Sequence, residues 1–325
     1  MTIEGKTDET KQLTIEESAA EWLEGSIIHK SSDDKLISIS FYLCPSTPTK
    51  LSTTFPPLSI SSSSYPLFSH IKTLDLQNCR NLTHLSDELC LHLPCLKTLN
   101  LSRCEQLQQL PTTTLNHLKE LNTLNLCDCT SLSTLPPSIG TLSNLRTLIL
   151  GGNYTTGNKI LTTLPSSLGD LINLRELDLS KCKSLTTLPE SITKLKRLRV
   201  LRMRECKCVT ELPSRLGELT SLLELDVTKC GGLTSLPESI GDLAGLEELN
   251  LSKCQLVSLP PAIGRLDRLE VLILRGCKKM TSLEDFVVTM RSLKRLDVSG
   301  CKRLVKMPEE GSEWLKKVTV GFWVS

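Results

Sequence analysis

Aromatic side chains are scarce in this sequence: Phe, Trp and Tyr make up 3% of 325 residues. Large rings therefore cannot supply the core, and a hydrophobic content of 39% has to come mainly from aliphatic residues. Net charge is also small, at +2, which excludes a strong pull of the whole molecule towards nucleic acid or membrane. No apolar run approaches the roughly 18 residues of a membrane span. The opening stretch, MTIEGKTDETKQLTIEESAAEWLEGS, is polar and acidic and lacks the apolar centre of a secretory signal. A cytoplasmic protein with reduced thiols is the expectation. Histidines number five and are scattered. There is no Walker A loop, no GxGxxG, no HExxH and no GxSxG. Neither catalysis, a cofactor nor a metal is expected.

Leucine and cysteine are abundant, and both are periodic. A block of the form L-x-x-L-x-L-x-x-C begins at Ile71, Leu96, Leu121, Leu145, Leu174, Leu198, Leu222, Leu246, Leu269 and Leu293, with steps of 23 to 29 residues. A second block follows it, as in LTTLPESITKL and LTSLPESIGDL. In "ELDLS" the alternation of Leu177 and Leu179 with Glu176, Asp178 and Ser180 predicts a short strand with leucines inward. Leu188-Pro189 then turns the chain, because proline fixes φ and donates no hydrogen bond. The "ESIGDL" that follows is long enough for one 3₁₀ or α turn only. One such unit cannot bury its own leucines, so neighbours must stack. Each layer would bury about six apolar side chains at roughly 1.5–3 kcal/mol apiece, an upper bound.

On these blocks the chain is identified as a member of the leucine-rich repeat family. The combination LxxLxLSxCxxLxxLPxSIGxL resembles the repeat region of plant-type disease-resistance proteins (the nucleotide-binding immune receptors). It is also similar to the plant intracellular Ras-group-related repeat proteins. The resemblance implies an α/β solenoid, a curved arc with short parallel strands on its concave face and short 3₁₀ or α turns on its convex face. It further implies a non-catalytic adaptor or recognition module in signalling or defence, binding a protein on the concave face as a monomer. A substrate-recognition subunit of a ubiquitin ligase and a thiol-based redox protein are the alternatives. The expected organisation is a tail with a short capping helix over 1–35, a degenerate first repeat and Ser/Pro-rich loop over 36–70, ten repeats over 71–313, and a cap over 314–325. Thr14 and Glu17 would open the capping helix. Trp314, Phe322 and Trp323 would shield the last layer.

Nine of the 14 cysteines share one phase: Cys79, Cys104, Cys129, Cys182, Cys206, Cys230, Cys254, Cys277 and Cys301. Asn153 is expected to fill the tenth place. A ladder of parallel thiols offers neither the converging Cβ vectors of a disulfide nor four ligands around one point. It reads as a packing element in a buried bend, bonded to neighbouring backbone. Cys127, in "NLCDC", is expected to point outward and is the one candidate for thiol chemistry.

Candidate partner contacts are the outward strand positions where charge accumulates or the pattern breaks. Lys97, Arg146 and Arg175 belong to a basic edge, which gives way to Glu247 and Glu270 further along. Arg202 is expected to pair with Asp178 and Asp226 on adjacent strands, with Arg204 beside it. Ile149, Ile273 and Arg275 also interrupt the polar pattern. Five extra residues around Tyr154–Asn158 form an insertion, and Tyr154 is the candidate within it. A partner of complementary polarity is expected on this surface.

Overall fold

In the computed structural model the described residues form thirteen strands in one open sheet, ordered as they occur in the sequence. The structure describes residues 26–30, 36–41, 70–85, 87–152, 157–283, 289–305 and 319–321. β1 (Ser26–Lys30) and β2 (Leu36–Phe41) pair antiparallel, and every later pairing is parallel. The repeat strands β3 (Thr73–Asp75) to β12 (Arg295–Asp297) are three residues long, and their central leucines stand in register from Leu74 to Leu296. β13 (Thr319–Gly321) extends the same register.

At the two ends, Ile39 is in register with Leu74, and Val320 is in register with Leu296. The hairpin formed by β1 was not anticipated. SIIHK lies within the stretch read as a tail, and its adjacent isoleucines show neither strand nor helix periodicity. The capping helix around Thr14 and the aromatic cap of Trp314, Phe322 and Trp323 lie outside the described residues.

Packing follows the pattern closely. In one layer Leu174, Leu177, Leu179, Cys182, Leu185, Ile192 and Leu195 are all fully buried. Opposite the strands, α1 (Asp87–His92) fills the first repeat and 3₁₀ turns fill the seven that follow, as at Glu190–Lys194 and Glu238–Asp242. Pro189 and Pro237 precede these turns at φ −66° and −69°. A side chain on Gly169 or Gly241 would come within 2.1 Å of the carbonyl oxygen of Ser191 or Ala262 in the next layer. Glycine there lets successive turns touch through their backbones. Where Thr193 takes that place, the next layer's 3₁₀ turn is cut to Leu216–Glu218.

Candidate functional site

Chemistry at the surface begins in the bend that follows each strand. The residue just before the cysteine phase has positive φ in all ten repeats, from Asn78 (64°) through Lys229 (61°) to Gly300 (74°). Only three of the ten are glycine, so most layers hold a left-handed residue at a cost of about 1 kcal/mol. Two sets of side chains hold that bend. The first is the cysteine ladder: Cys104, Cys129, Cys206, Cys230, Cys254 and Cys277 each donate Sγ–H to a backbone carbonyl of the preceding layer at 3.0–3.2 Å. Burial pushes the thiols of Cys182, Cys254 and Cys277 up to about 12. These are packing groups, as expected, and they are kept neutral.

The tenth place in that ladder belongs to Asn158, which corrects the expectation for Asn153. Asn158 is fully buried and its Nδ2 donates to the Leu126 carbonyl at 3.2 Å, the bond a cysteine makes elsewhere. Leu161 follows it by three residues, as Leu185 follows Cys182, and both are fully buried. The extra residues therefore lie before Gly157, which itself takes the left-handed place ahead of Asn158. Asn153 and Tyr154 are outside the described residues. Asp128, 5% exposed, receives Gly157 N–H at 2.8 Å and anchors the end of the insertion.

The second set is the middle outward column. Seven of its ten residues are Asp or Asn, and each accepts the backbone N–H two residues on, from Gln77 to Asp75 Oδ1 at 3.0 Å through to Ser299 to Asp297 Oδ1 at 3.0 Å. Asp178 and Asp226 are 5% and 2% exposed. Both were expected as partner contacts, and the structure corrects this: their carboxylates satisfy the amides of Ser180 and Thr228 inside the bend. Asx turns of this kind exploit the short polar side chain to substitute for a backbone acceptor. The missed signal was the Ser or Thr two places after five of these seven residues, as in DLS, NLS and DVT.

Ile149, Arg202 and Ile273 are the three residues of that column without an Asx role. Arg202 does not pair with Asp178 and Asp226 as expected. Its Nε and Nη2 donate to both Glu224 oxygens at 2.8 and 3.0 Å, and its Nη1 to Glu176 at 2.6 Å. The glutamates lie two residues earlier on the adjacent strands, where the long guanidinium reaches them, while the aspartates are turned into their bends. The Glu224 hydrogen bonds hold the guanidinium even more firmly charged. Arg204 takes the outer oxygen of Asp226 at 2.5 Å, and Lys229 pairs with Glu205 at 2.7 Å. Glu205 is held below its usual range by that lysine.

Unpaired charge remains on either side. Arg146, Arg175 and Arg199 are exposed at the starts of three consecutive strands and form no ion pair among the described residues. Lys97 approaches Glu120 at 3.8 Å. Ile149, half-buried, stands on the strand that Arg146 leads into. Glu248 has its carboxyl raised by burial and by Glu224 and Asp226 nearby, and it has no ion-pair partner among the described residues. Its register partner on the next strand is Val271, beside the half-buried Ile273, and Arg275 is exposed two residues on. Cys127 is half-buried and its Sγ donates to Asp128 Oδ2 at 3.4 Å. Its neighbour is an anion, whereas activated thiols sit beside cations. Among the described residues no group of three or more His, Cys, Asp or Glu could hold a metal, and no helix is long and apolar enough to cross a membrane.

A leucine-rich repeat region model matches residues 162–257. No curated protein matches the chain. Among solved structures it is similar to a Leptospira interrogans leucine-rich repeat protein, at 25% identity and a TM-score of 0.44, over 78% of this chain and 79% of that one. The leucine-rich repeat domain of the type III effector XopL gives 27% identity and 0.49, over 59% and 73%. The Arabidopsis receptor kinase HAESA, solved with the peptide hormone IDA and the co-receptor SERK1, gives 22% and 0.50, over 86% of this chain and 47% of that one. The last likeness concerns the fold. With its repeat strands in one parallel register, its leucines in one core and its bends closed alike, the chain has the fold of a leucine-rich repeat solenoid.

Proposed function

We propose that this protein is a non-catalytic recognition module that binds a protein segment across its strand face. The observation that carries the reading is the run of Arg146, Arg175 and Arg199, exposed and without ion pairs among the described residues. On the same face Arg202, Arg204 and Lys229 are each neutralised by a carboxylate. Charge left open in three successive layers beside the half-buried Ile149 suits an acidic segment with an apolar side chain. Opposed potentials of this kind raise the association rate and set register. Further along, Glu248 beside Val271 and Ile273 offers the opposite polarity, so a partner spanning both would bind in one direction only. A signalling or defence setting, a cytoplasmic location and a monomeric state are part of this proposal and follow from the family resemblance. The thiol-based alternative is weakened by the anionic neighbour of Cys127. The ubiquitin-ligase alternative differs only in what the partner does next.

Proximity labelling in the native organism, with the wild-type chain and with an Arg146→Glu, Arg175→Glu, Arg199→Glu variant, tests this directly. Proteins recovered by the wild type should fall by roughly tenfold or more with the variant. Equal recovery would remove the arginine edge from the reading.

A further inference from the structure

The basic edge at the strand starts is not the largest concentration of uncompensated charge. That lies on the opposite rim, where the chain leaves the bends of the last three complete repeats. Lys253, Arg275, Lys278, Lys279, Lys302 and Arg303 are all exposed there. None makes an ion pair among the described residues, and no acidic residue interrupts them from Ser252 to Gln255, from Arg275 to Lys279 or from Ser299 to Arg303. Layers stack at about 4.8 Å, so these six cations occupy little more than 10 Å of solenoid axis. Like charges at that spacing repel, and the exposed cations Lys196, Arg265 and Lys294 elsewhere each have a carboxylate. The clustering is built on the bend itself. Gly276 and Gly300 supply the left-handed position here, at φ 71° and 74°, and the Lys253 stem lies 3.2 Å from where a Gly276 Cβ would be. The rim is therefore low in bulk between the cations.

Two aliphatic side chains adjoin this patch. Val257 and Val305 are 50% and 85% exposed, and Val305 follows Arg303 by two residues. They stand in one column: Thr281 N–H donates to the Val257 carbonyl, and Val305 N–H to the Thr281 carbonyl. Among the described residues no aromatic lies between these cations to offer the base stacking on which single-stranded nucleic acid binding relies. A bilayer surface, by contrast, uses cations for its headgroups and aliphatic tips for the interface just below them.

We propose that the C-terminal bend rim, with six cations that form no ion pair among the described residues and the adjoining Val257 and Val305, docks this solenoid peripherally on an anionic lipid surface. Each Lys or Arg near such a surface strengthens binding by roughly fivefold, and the attraction is screened by salt. Docking by the rim would leave the strand face open, so a protein partner and a membrane could be held together.

The test is co-sedimentation of the full chain with phosphatidylcholine vesicles, with and without phosphatidylserine, at low and high ionic strength. Three proteins are compared: wild type, a rim variant (Lys278→Glu, Lys279→Glu, Lys302→Glu, Arg303→Glu), and the Arg146/Arg175/Arg199→Glu variant. A thermal melt of each checks that it is folded. Wild type should bind only the vesicles containing phosphatidylserine, and less at high salt. The rim variant should lose about 100-fold or more in partitioning, the strand-edge variant should keep most of it, and Val305→Asp alone should weaken it several-fold. No binding by wild type, or equal loss in both multiple variants, overturns the proposal. So does binding of poly-uridine or poly-glutamate through the rim without binding to lipid. The strand-edge reading stands or falls separately, because its variant leaves the rim intact.

Discussion

Substituting Asp226 separates a surface role for the middle column from a role inside the bend. Asp226 is 2% exposed, and its two carboxylate oxygens have different partners. Oδ1 accepts the Thr228 amide at 2.9 Å, and Oδ2 accepts Arg204 Nε at 2.5 Å. Alanine removes both. A hydrogen bond to a charged acceptor contributes about 1.5–3 kcal/mol, and the loss is felt in full when the amide left behind is shielded from water. The Arg204 side chain is 50% exposed, so its ion pair adds at most about 1 kcal/mol. Asp226→Ala should therefore destabilise by about 2–4 kcal/mol. Asp226→Asn keeps an oxygen for the Thr228 amide and loses only the ion pair, so it should cost about 1 kcal/mol or less. Arg204→Ala should match the asparagine variant, and a double-mutant cycle between the two should return the ion-pair energy alone. Urea unfolding followed by far-ultraviolet circular dichroism measures the wild type and all four variants. If the asparagine variant is as damaged as the alanine variant, the bend-closing role assigned to this column is wrong.

Contact between the 3₁₀ turns makes a second prediction. Gly241→Ala would place a Cβ 2.1 Å from the Ala262 carbonyl oxygen, and forcing the layers apart should cost about 1–3 kcal/mol. Gly231→Ala meets nothing within 4 Å, so its effect should be neutral or slightly stabilising in the same urea titration. The thiols make a third. Their ordinary value is 9.0, whereas Cys182, Cys254 and Cys277 in the folded chain are raised to about 12, first by burial. The unfolded chain therefore releases protons before the folded one. Stability should hold below pH 9 and fall between pH 9 and 12 by roughly 1 kcal/mol per thiol per pH unit. Replacing the three together with alanine should lessen that alkaline slope by their share, the rest coming from other buried thiols such as Cys104 and Cys129, which burial also raises, even though it lowers stability at neutral pH. At neutral pH a thiol reagent should modify exposed Cys208 quickly and the buried ladder only as the chain unfolds.

The layers were legible from the sequence because burial obeys a fixed period: a leucine moved by one place would turn from core to solvent. Leu74 to Leu296 stand in register for that reason. The cysteine phase was legible too, since a small buried donor is required once per bend. Legibility failed where two residues of the same type compete for one place. Asn153 and Asn158 both satisfy the local motif, and only the spacing to the buried Leu161 decides between them. It failed again where a residue has the chemistry of a surface but the geometry of a bend. Asp178 alternates with leucines as an outward residue should, yet its carboxylate is drawn back onto the Ser180 amide at 2.8 Å. Period-two reasoning assigns a face to Cα and Cβ; it does not say where a short polar side chain finds its nearest donor. Arg202 shows the converse, because a long side chain reaches past its register partners Asp178 and Asp226 to the glutamates Glu176 and Glu224.

These bends also limit where recognition can be encoded. Seven of ten middle positions are committed to closing the bend, so substitution there trades stability for any new contact. Variation with little structural cost is left to the strand edges, to the bend rim and to the three middle positions released from that duty. The unpaired charge is found on those edges: Arg146, Arg175 and Arg199 at the strand starts, and Lys278, Lys279, Lys302 and Arg303 beyond the bends. Whole-molecule charge cannot reveal such an arrangement. A net of +2 is what remains when 38 basic and 36 acidic residues are summed without regard to position. With a Debye length of about 8 Å at physiological ionic strength, a partner on one edge is largely screened from charges on the other. Each edge therefore presents its own local potential, and a chain that is nearly neutral overall can still offer two separate electropositive surfaces, one beside the strand face and one on the bend rim.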